Sequence, residues 1–160
     1  MERRSYAQSV PLRMSLVAAL VALSLVGSFL KIPSPTGTVA LDSLPGFLGS
    51  LSLGYSEGAS ISFLGHLLTS LNVGFPLGFP LHLLIALEMA GIVVLFRWVF
   101  LRWKATPAIV AGTLSNGVLA PLSLVPLLGW GFFFGVLPPL LVGSFVNIVL
   151  AVVVHRFLPK

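Results

Sequence analysis

Long apolar runs, each closed by proline, glycine or arginine, confine this chain to one kind of environment. Residues 12–30, 80–96 and 138–157 carry very few ionisable side chains, and a helix needs about 20 mostly apolar residues to cross the hydrocarbon core of a bilayer. Composition supports the same reading. The chain is 57% hydrophobic and 8% charged, with a mean hydropathy of +1.07, whereas a soluble domain carries roughly 25% charged residues. The sequence therefore predicts an all-α membrane protein, a single domain of six transmembrane helices in a compact bundle. The expected spans are residues 12–30, 41–54, 57–72, 80–96, 107–124 and 138–157.

The formal charge of +5 raises the question of nucleic acid, but the placement of the charges answers it. Arg3, Arg4 and Arg13 lie near the start, Arg97, Arg102 and Lys104 in one connection, and Arg156 and Lys160 at the end, with Lys31 the exception. If the connections alternate sides, these three clusters share one side, and an excess of Lys and Arg marks the cytoplasmic face. The basic residues are thus read as topology, with both termini cytoplasmic and the lipid bilayer, not nucleic acid, as the surrounding partner. The chain has no cysteine, which excludes disulfides and thiolate metal sites. The first apolar run lacks a small-residue cleavage pattern and is read as a retained helix.

The connections are punctuated by turn chemistry. KIPSPTGTVA, residues 31–40, holds two prolines and a glycine and cannot continue a helix, so it is expected to be an outward loop. Asp42 and Pro45 suit the first turn of a short second span. Ser56 and Glu57 suit the start of the third, in which Ser62, His66 and Thr69 fall on one face. GFPLGFP, residues 74–80, forms a stiff aromatic outer connection. Arg97, Trp98, Arg102, Trp103 and Lys104 are expected as an interfacial girdle, Pro121 as a kink in the fifth span, and VPLLGWGFFFGVL, residues 125–137, as a longer outer connection.

Against this apolar background the few polar side chains stand out. His66, His82 and Glu88 flank the 74–80 connection, and ionisable groups within membrane segments face a protein interior or a wet cavity and point to function. His82 and Glu88 are six residues apart, about 240° around a helix, so a contact between Glu88 and His66 across two helices is expected instead. A purely structural pairing would satisfy Glu88 as well. Asn72, Asn116 and Asn147 lie on three different helices and either converge on a polar ligand or bond helix to helix. Phe75, Phe79, Trp130, Phe132, Phe133 and Phe134 offer ring faces above a cavity or an interfacial belt. Ser15, Ala18 and Ala22 give the first helix a small-residue face for packing within the chain or against a partner.

Several chemistries have no signature here. GxxxxGK[ST] is absent, so the chain does not cradle nucleotide phosphates, and so is HExxH. An intramembrane serine hydrolase would need a serine presented to a histidine base; Ser115 and Ser144 are possible nucleophiles, but no sequence signature supports either. The expectation is no catalytic residue, no metal site and no cofactor in this chain. An intramembrane enzyme with Glu88 and His66 as acid and base, and a transition-metal carrier using His66, His82 and Glu88, stay open as alternatives.

The runs KIPSPTGTVALDSLPGF and GHLLTSLNVGFPLGFPLHLLIALEMA, with the span pattern and the small-residue first helix, resemble the substrate-binding S components of energy-coupling factor (ECF) vitamin transporters, most of all the group assigned to alpha-ribazole, a cobalamin precursor. The resemblance implies a six-helix bundle that captures a water-soluble vitamin or precursor and is not an enzyme. It further implies docking through Ala18 and Ala22 to a transmembrane T component, two cytoplasmic ATPases that use the ATP, and residence in the plasma membrane of a prokaryote. By position it makes residues 31–42, 74–80 and 125–134 lids, and Lys31, Asp42, His66, Asn72, Phe75, Phe79, His82, Glu88, Asn116, Trp130 and Asn147 candidate ligand contacts. Pantothenate, a thiamin or pyrimidine precursor and cobalamin remain alternative solutes.

Overall fold

The breaks between helices fall where glycine, proline or a left-handed residue interrupts backbone hydrogen bonding. The computed structural model describes residues 9–34 and 37–158, with the side chains of residues 31–39 outside that description. Among the described residues the chain forms helices α1 (Val10–Phe29), α2 (Leu44–Ser52), α3 (Tyr55–Asn72), α4 (Phe79–Trp103), α5 (Ala105–Ser123) and α6 (Val125–Phe157). Four of them, α1, α4, α5 and α6, are long and apolar enough to cross a membrane. The spans expected at residues 41–54 and 57–72 are present as helices of another kind. α2 has nine residues, about 14 Å at the α-helical rise, and the continuous helix α3 carries Ser56, Glu57, Ser60, Ser62, His66, Thr69 and Ser70 among its apolar residues.

Residues 31–40, expected as a bare loop, instead form an antiparallel hairpin of β1 (Lys31–Ser34) and β2 (Gly37–Ala40), in which Lys31 pairs with Ala40 and Ile32 with Val39. A hairpin satisfies backbone groups that a loop would leave open. α3 ends in a Schellman motif: the Phe75 N–H donates to the Ser70 carbonyl at 2.8 Å and the Gly74 N–H to that of Leu71 at 3.0 Å. Gly74 takes the required left-handed conformation, φ 77°, which glycine adopts without a steric penalty.

Two expected connections prove to be helix. α4 runs on through Arg97 and Arg102 to Trp103, and Lys104 alone, at φ 72°, turns the chain into α5. Arg97 is thus in a helix and not in a connection. Its guanidinium donates to the Ser50 carbonyl near the C-terminus of α2 and lies 5.0 Å over the Tyr55 ring, a favourable place for a cation. The expected outer connection at 125–137 is the beginning of α6, interrupted only at Gly129 (φ 78°) and continuing through Pro138 and Pro139. In α5 the expected kink takes the form of a π turn over Ser115–Leu119. Pro121 cannot donate to the Gly117 carbonyl and its ring would clash there; the wider turn gives it room.

α3 packs against α1, α2 and α4, while α6 packs against α2 and α5. Small residues permit the closest approaches: a side chain at Gly58 would strike Ser50, and one at Gly65 would come within 2.8 Å of the Ser24 hydroxyl, as expected where helices associate by close packing. The apolar core joins Phe47 and Leu51 of α2, Val93 and Phe96 of α4, Ala108 of α5 and Ile148 of α6, with Phe47 and Phe96 edge-to-face at 5.1 Å. This core fills the half of the bundle that holds the end of α4, the start of α5 and the end of α6. The other half, at the hairpin and the α3–α4 connection, is hollow.

Candidate functional site

The hollow half encloses a cavity of about 520 Å³, within the range of small-molecule sites. Its apolar wall includes Ile85, Met89, Leu124, Phe132 and Leu140. Polar groups reach it from five directions: Asp42 and Ser43 before α2, Ser62 and His66 from α3, His82 from α4, Asn116 from the π turn of α5, and Ser144 and Asn147 from α6. Ser62 and His66 are one helical turn apart on the same face. The Ser62 hydroxyl is buried and has no partner among the described residues, which in a native interior calls for an explanation.

The two histidines meet each other rather than Glu88. His66 Nε2 lies 3.2 Å from His82 Nδ1, and the Ser70 hydroxyl sits between them, 2.9 Å from His82 Nδ1 and 3.3 Å from His66 Nε2. The backbone N–H of Leu77 donates to His82 Nε2 at 3.4 Å, and the Phe75 ring is centred 5.6 Å from the imidazole. Asp42 is half-buried before α2 begins. Burial pushes its carboxyl above the ordinary carboxylate range, against hydrogen bonds from its own and Ser43's backbone and from the Thr69 side chain that pull the other way.

Asn116 Nδ2 donates to the Ser144 hydroxyl at 2.9 Å, which ties the π turn to α6. Asn147 is more fully engaged. Its Nδ2 donates to the Ala40 and Gly143 carbonyls, both at 2.8 Å, and its Oδ1 accepts from the Leu44 N–H at 2.9 Å. It lines the cavity as the clamp that fixes the end of β2 and the start of α2 to α6.

The remaining sequence candidates lie elsewhere. Glu88 does not pair with His66 and does not line the cavity: it faces α5, where the Ser123 hydroxyl donates to its Oε1 at 2.5 Å. The six-residue offset from His82 turns it to the far side of α4. Asn72 is exposed at the last turn of α3. Phe75 and Phe79, edge-to-face at 5.4 Å, sit in the capping connection and at the start of α4 outside the lining. Trp130 is 57% exposed and stacks on Phe134 at 5.9 Å. Lys31 belongs to β1, and its side chain lies outside the described residues. Sequence reasoning missed Ser62 and Ser70 as site residues, although the spacing of Ser62 from His66 was a usable signal. With Glu88 turned away, the described residues bring together no group of three or more His, Asp or Glu that could hold a metal ion.

A second concavity, a groove of about 730 Å³, runs between α1 and α3 and is lined by Val17, Ala18, Val21, Ala22, Leu64 and Leu68. Ala18 and Ala22 are exposed in it. Ser15 is exposed on the same helix, its hydroxyl donating to the Pro11 carbonyl at 3.0 Å. The ion pair of Arg13 and Glu57 joins α1 to α3 at one end.

A solved structure of the S component of a bacterial ECF transporter is similar in fold, with a TM-score of 0.68 at 19% sequence identity, covering 90% of this chain and 93% of that one. No curated protein matches the sequence. The sequence profile described as "ECF transporter, substrate-specific component" matches residues 12–158, nearly the whole chain. A multi-pass membrane bundle of this fold, matched along almost its entire length, belongs to the family of substrate-specific components of ECF transporters.

Proposed function

We propose that the protein is the solute-capture subunit of an ECF-type importer, that the 520 Å³ cavity is its binding site, and that alpha-ribazole is its solute. The observation that carries this reading is the convergence of His66, His82, Asp42, Ser62 and Asn116 from separate elements on one cavity, in a chain with few polar side chains to place. A flat benzimidazole would lie against Phe132 and Met89, where aromatic and thioether contacts are favourable. The ribose hydroxyls would bond the histidine, serine and asparagine groups. The hairpin and the α3–α4 connection close the same end and serve as lids.

On this reading both termini are cytoplasmic, the cavity opens outward, and the chain lies in the plasma membrane of a prokaryote. The groove beside Ala18 and Ala22 receives a T component, and two partner ATPases use the ATP. Purified protein should melt at a higher temperature with alpha-ribazole, because a ligand that binds only the native state stabilises it. Native mass spectrometry should find one molecule retained. Stabilisation by pantothenate, a thiamin precursor or cobalamin instead would keep the capture function and replace the solute. Ala18→Leu should leave solute binding intact and abolish uptake in cells carrying the T component; loss of both would remove the docking assignment.

A further inference from the structure

The protein's own contacts fix the direction of hydrogen bonding in the cavity. Because the Leu77 N–H points at His82 Nε2, that nitrogen accepts, and the proton of the neutral ring sits on Nδ1. His82 Nδ1–H is then directed at the Ser70 hydroxyl and His66 Nε2. Two N–H donors 3.2 Å apart would set like partial charges head to head, so His66 Nε2 accepts, from His82 or from the Ser70 O–H. The proton of His66 is therefore on Nδ1, and this N–H has no partner among the described residues although His66 lines the cavity. Asn116, one of whose amide N–H groups donates to Ser144, lines the same space. The connection that caps the cavity thus sets, through His82, which group His66 offers to a solute.

Charge narrows the solute further. Among the described lining residues there is no lysine or arginine, and Asp42 is the one carboxyl group. A phosphate or carboxylate brought here would lose its water without gaining a cation from any described lining residue, which is strongly unfavourable in a low-dielectric site, and it would face Asp42 as well.

Building on the capture reading, we propose that the cavity admits the free, uncharged form of its solute and rejects the phosphorylated or carboxylate form, and that the His66 Nδ1–H is the specificity-determining donor to a neutral ring nitrogen or carbonyl on that solute. The test measures binding to the detergent-purified full chain by titration calorimetry with matched pairs: alpha-ribazole and its 5′-phosphate, riboflavin and its phosphate, pyridoxine and its phosphate, pantothenol and pantothenate. One free form should bind, with its charged partner weaker by roughly 100-fold or more. His66→Leu should weaken that binding roughly tenfold, the worth of one hydrogen bond, while His66→Asn, which places an amide N–H where Nδ1 stands, recovers most of it. A charged member that binds as tightly as its free partner would overturn the inference and leave solute capture standing. A panel in which nothing binds, with a thiamin precursor and cobalamin equally inert, would overturn the capture reading and the inference with it. Wild-type affinity in His66→Leu would remove the role given to His66; if that variant does not fold, His66→Gln, whose longer side chain carries its amide away from the Nδ1 position, takes its place with the same expected loss, and wild-type affinity there removes the role.

Discussion

Glu88 and Asp42 are both carboxylates in an apolar chain, and their surroundings give them different parts. Glu88 bonds Ser123 across α4 and α5 and lies outside the cavity lining, so a neutral isostere that keeps a hydrogen bond to Ser123 should matter little to the solute. Glu88→Gln is expected to bind within roughly twofold of the wild type, since substitutions away from a site's contacts seldom exceed a few tenths of a kcal/mol; a tenfold loss by calorimetry would return Glu88 to the site. Asp42 lines the cavity, and burial raises its carboxyl above the ordinary aspartate range. The folded protein therefore holds this proton at a pH where the unfolded chain has released it. Its contribution is fully present below the unfolded value and is lost as pH rises through the folded one. Melting curves measured upward from pH 4 should accordingly show a loss of stability in the wild type that Asp42→Asn lacks, with the variant the more stable at pH 7. The same downward slope in both proteins would exclude Asp42 as its source.

At the scale of the element, the π turn of α5 is the feature most directly coupled to the site, because it carries Asn116 and because Gly117 lets α6 approach. A β-carbon at Gly117 would stand 3.0 Å from both Cα and Cδ2 of Leu141, and backbone cannot yield as a side-chain tip does. Gly117→Val should push α5 and α6 apart at the Asn116–Ser144 bond, lowering stability by about 1–3 kcal/mol and solute affinity along with it; unchanged melting and binding would show that the turn has slack. Apolar run length made the helices legible in the sequence, as did glycine and proline at the α3–α4 connection. The ends of α4 and α6 were not. Arg97 reads as interfacial until its partner Ser50, 47 residues away, is known, and Trp130 through Phe134 look like an aromatic belt whether or not they are helical. The cavity was legible as a list of polar residues but not as a set of directions. Helix rotation decided that His66 faces His82 while Glu88 faces Ser123, and that Asn147 is occupied by the backbone of residues 40, 44 and 143.

The whole molecule divides into a packed half and a hollow half, and Arg13, Arg97 and His155 bond at the packed end. Arg13 bonds Glu57 and the Leu53 carbonyl, Arg97 reaches Ser50, and His155 lies 3.1 Å from the Ser52 hydroxyl. The turn between α2 and α3 is therefore at the same end as the start of α1 and the end of α6, although α2 is too short to cross a bilayer core unaided. A helix this short crosses only if the chain before it continues its path and the bilayer thins locally to meet it. If this basic end is cytoplasmic, residue 76 in the capping connection and residues 56 and 104 at the opposite end must lie on different sides of the membrane. The absence of native cysteine makes the test direct. In intact cells a membrane-impermeant maleimide should label Pro76→Cys at once, and should label Ser56→Cys and Lys104→Cys only after permeabilisation. Labelling of Ser56→Cys from outside would mean that α2 and α3 do not both traverse, reducing the crossings to the four long apolar helices. The reverse pattern throughout would turn the cavity toward the cytoplasm, where a capture subunit for uptake has nothing to collect.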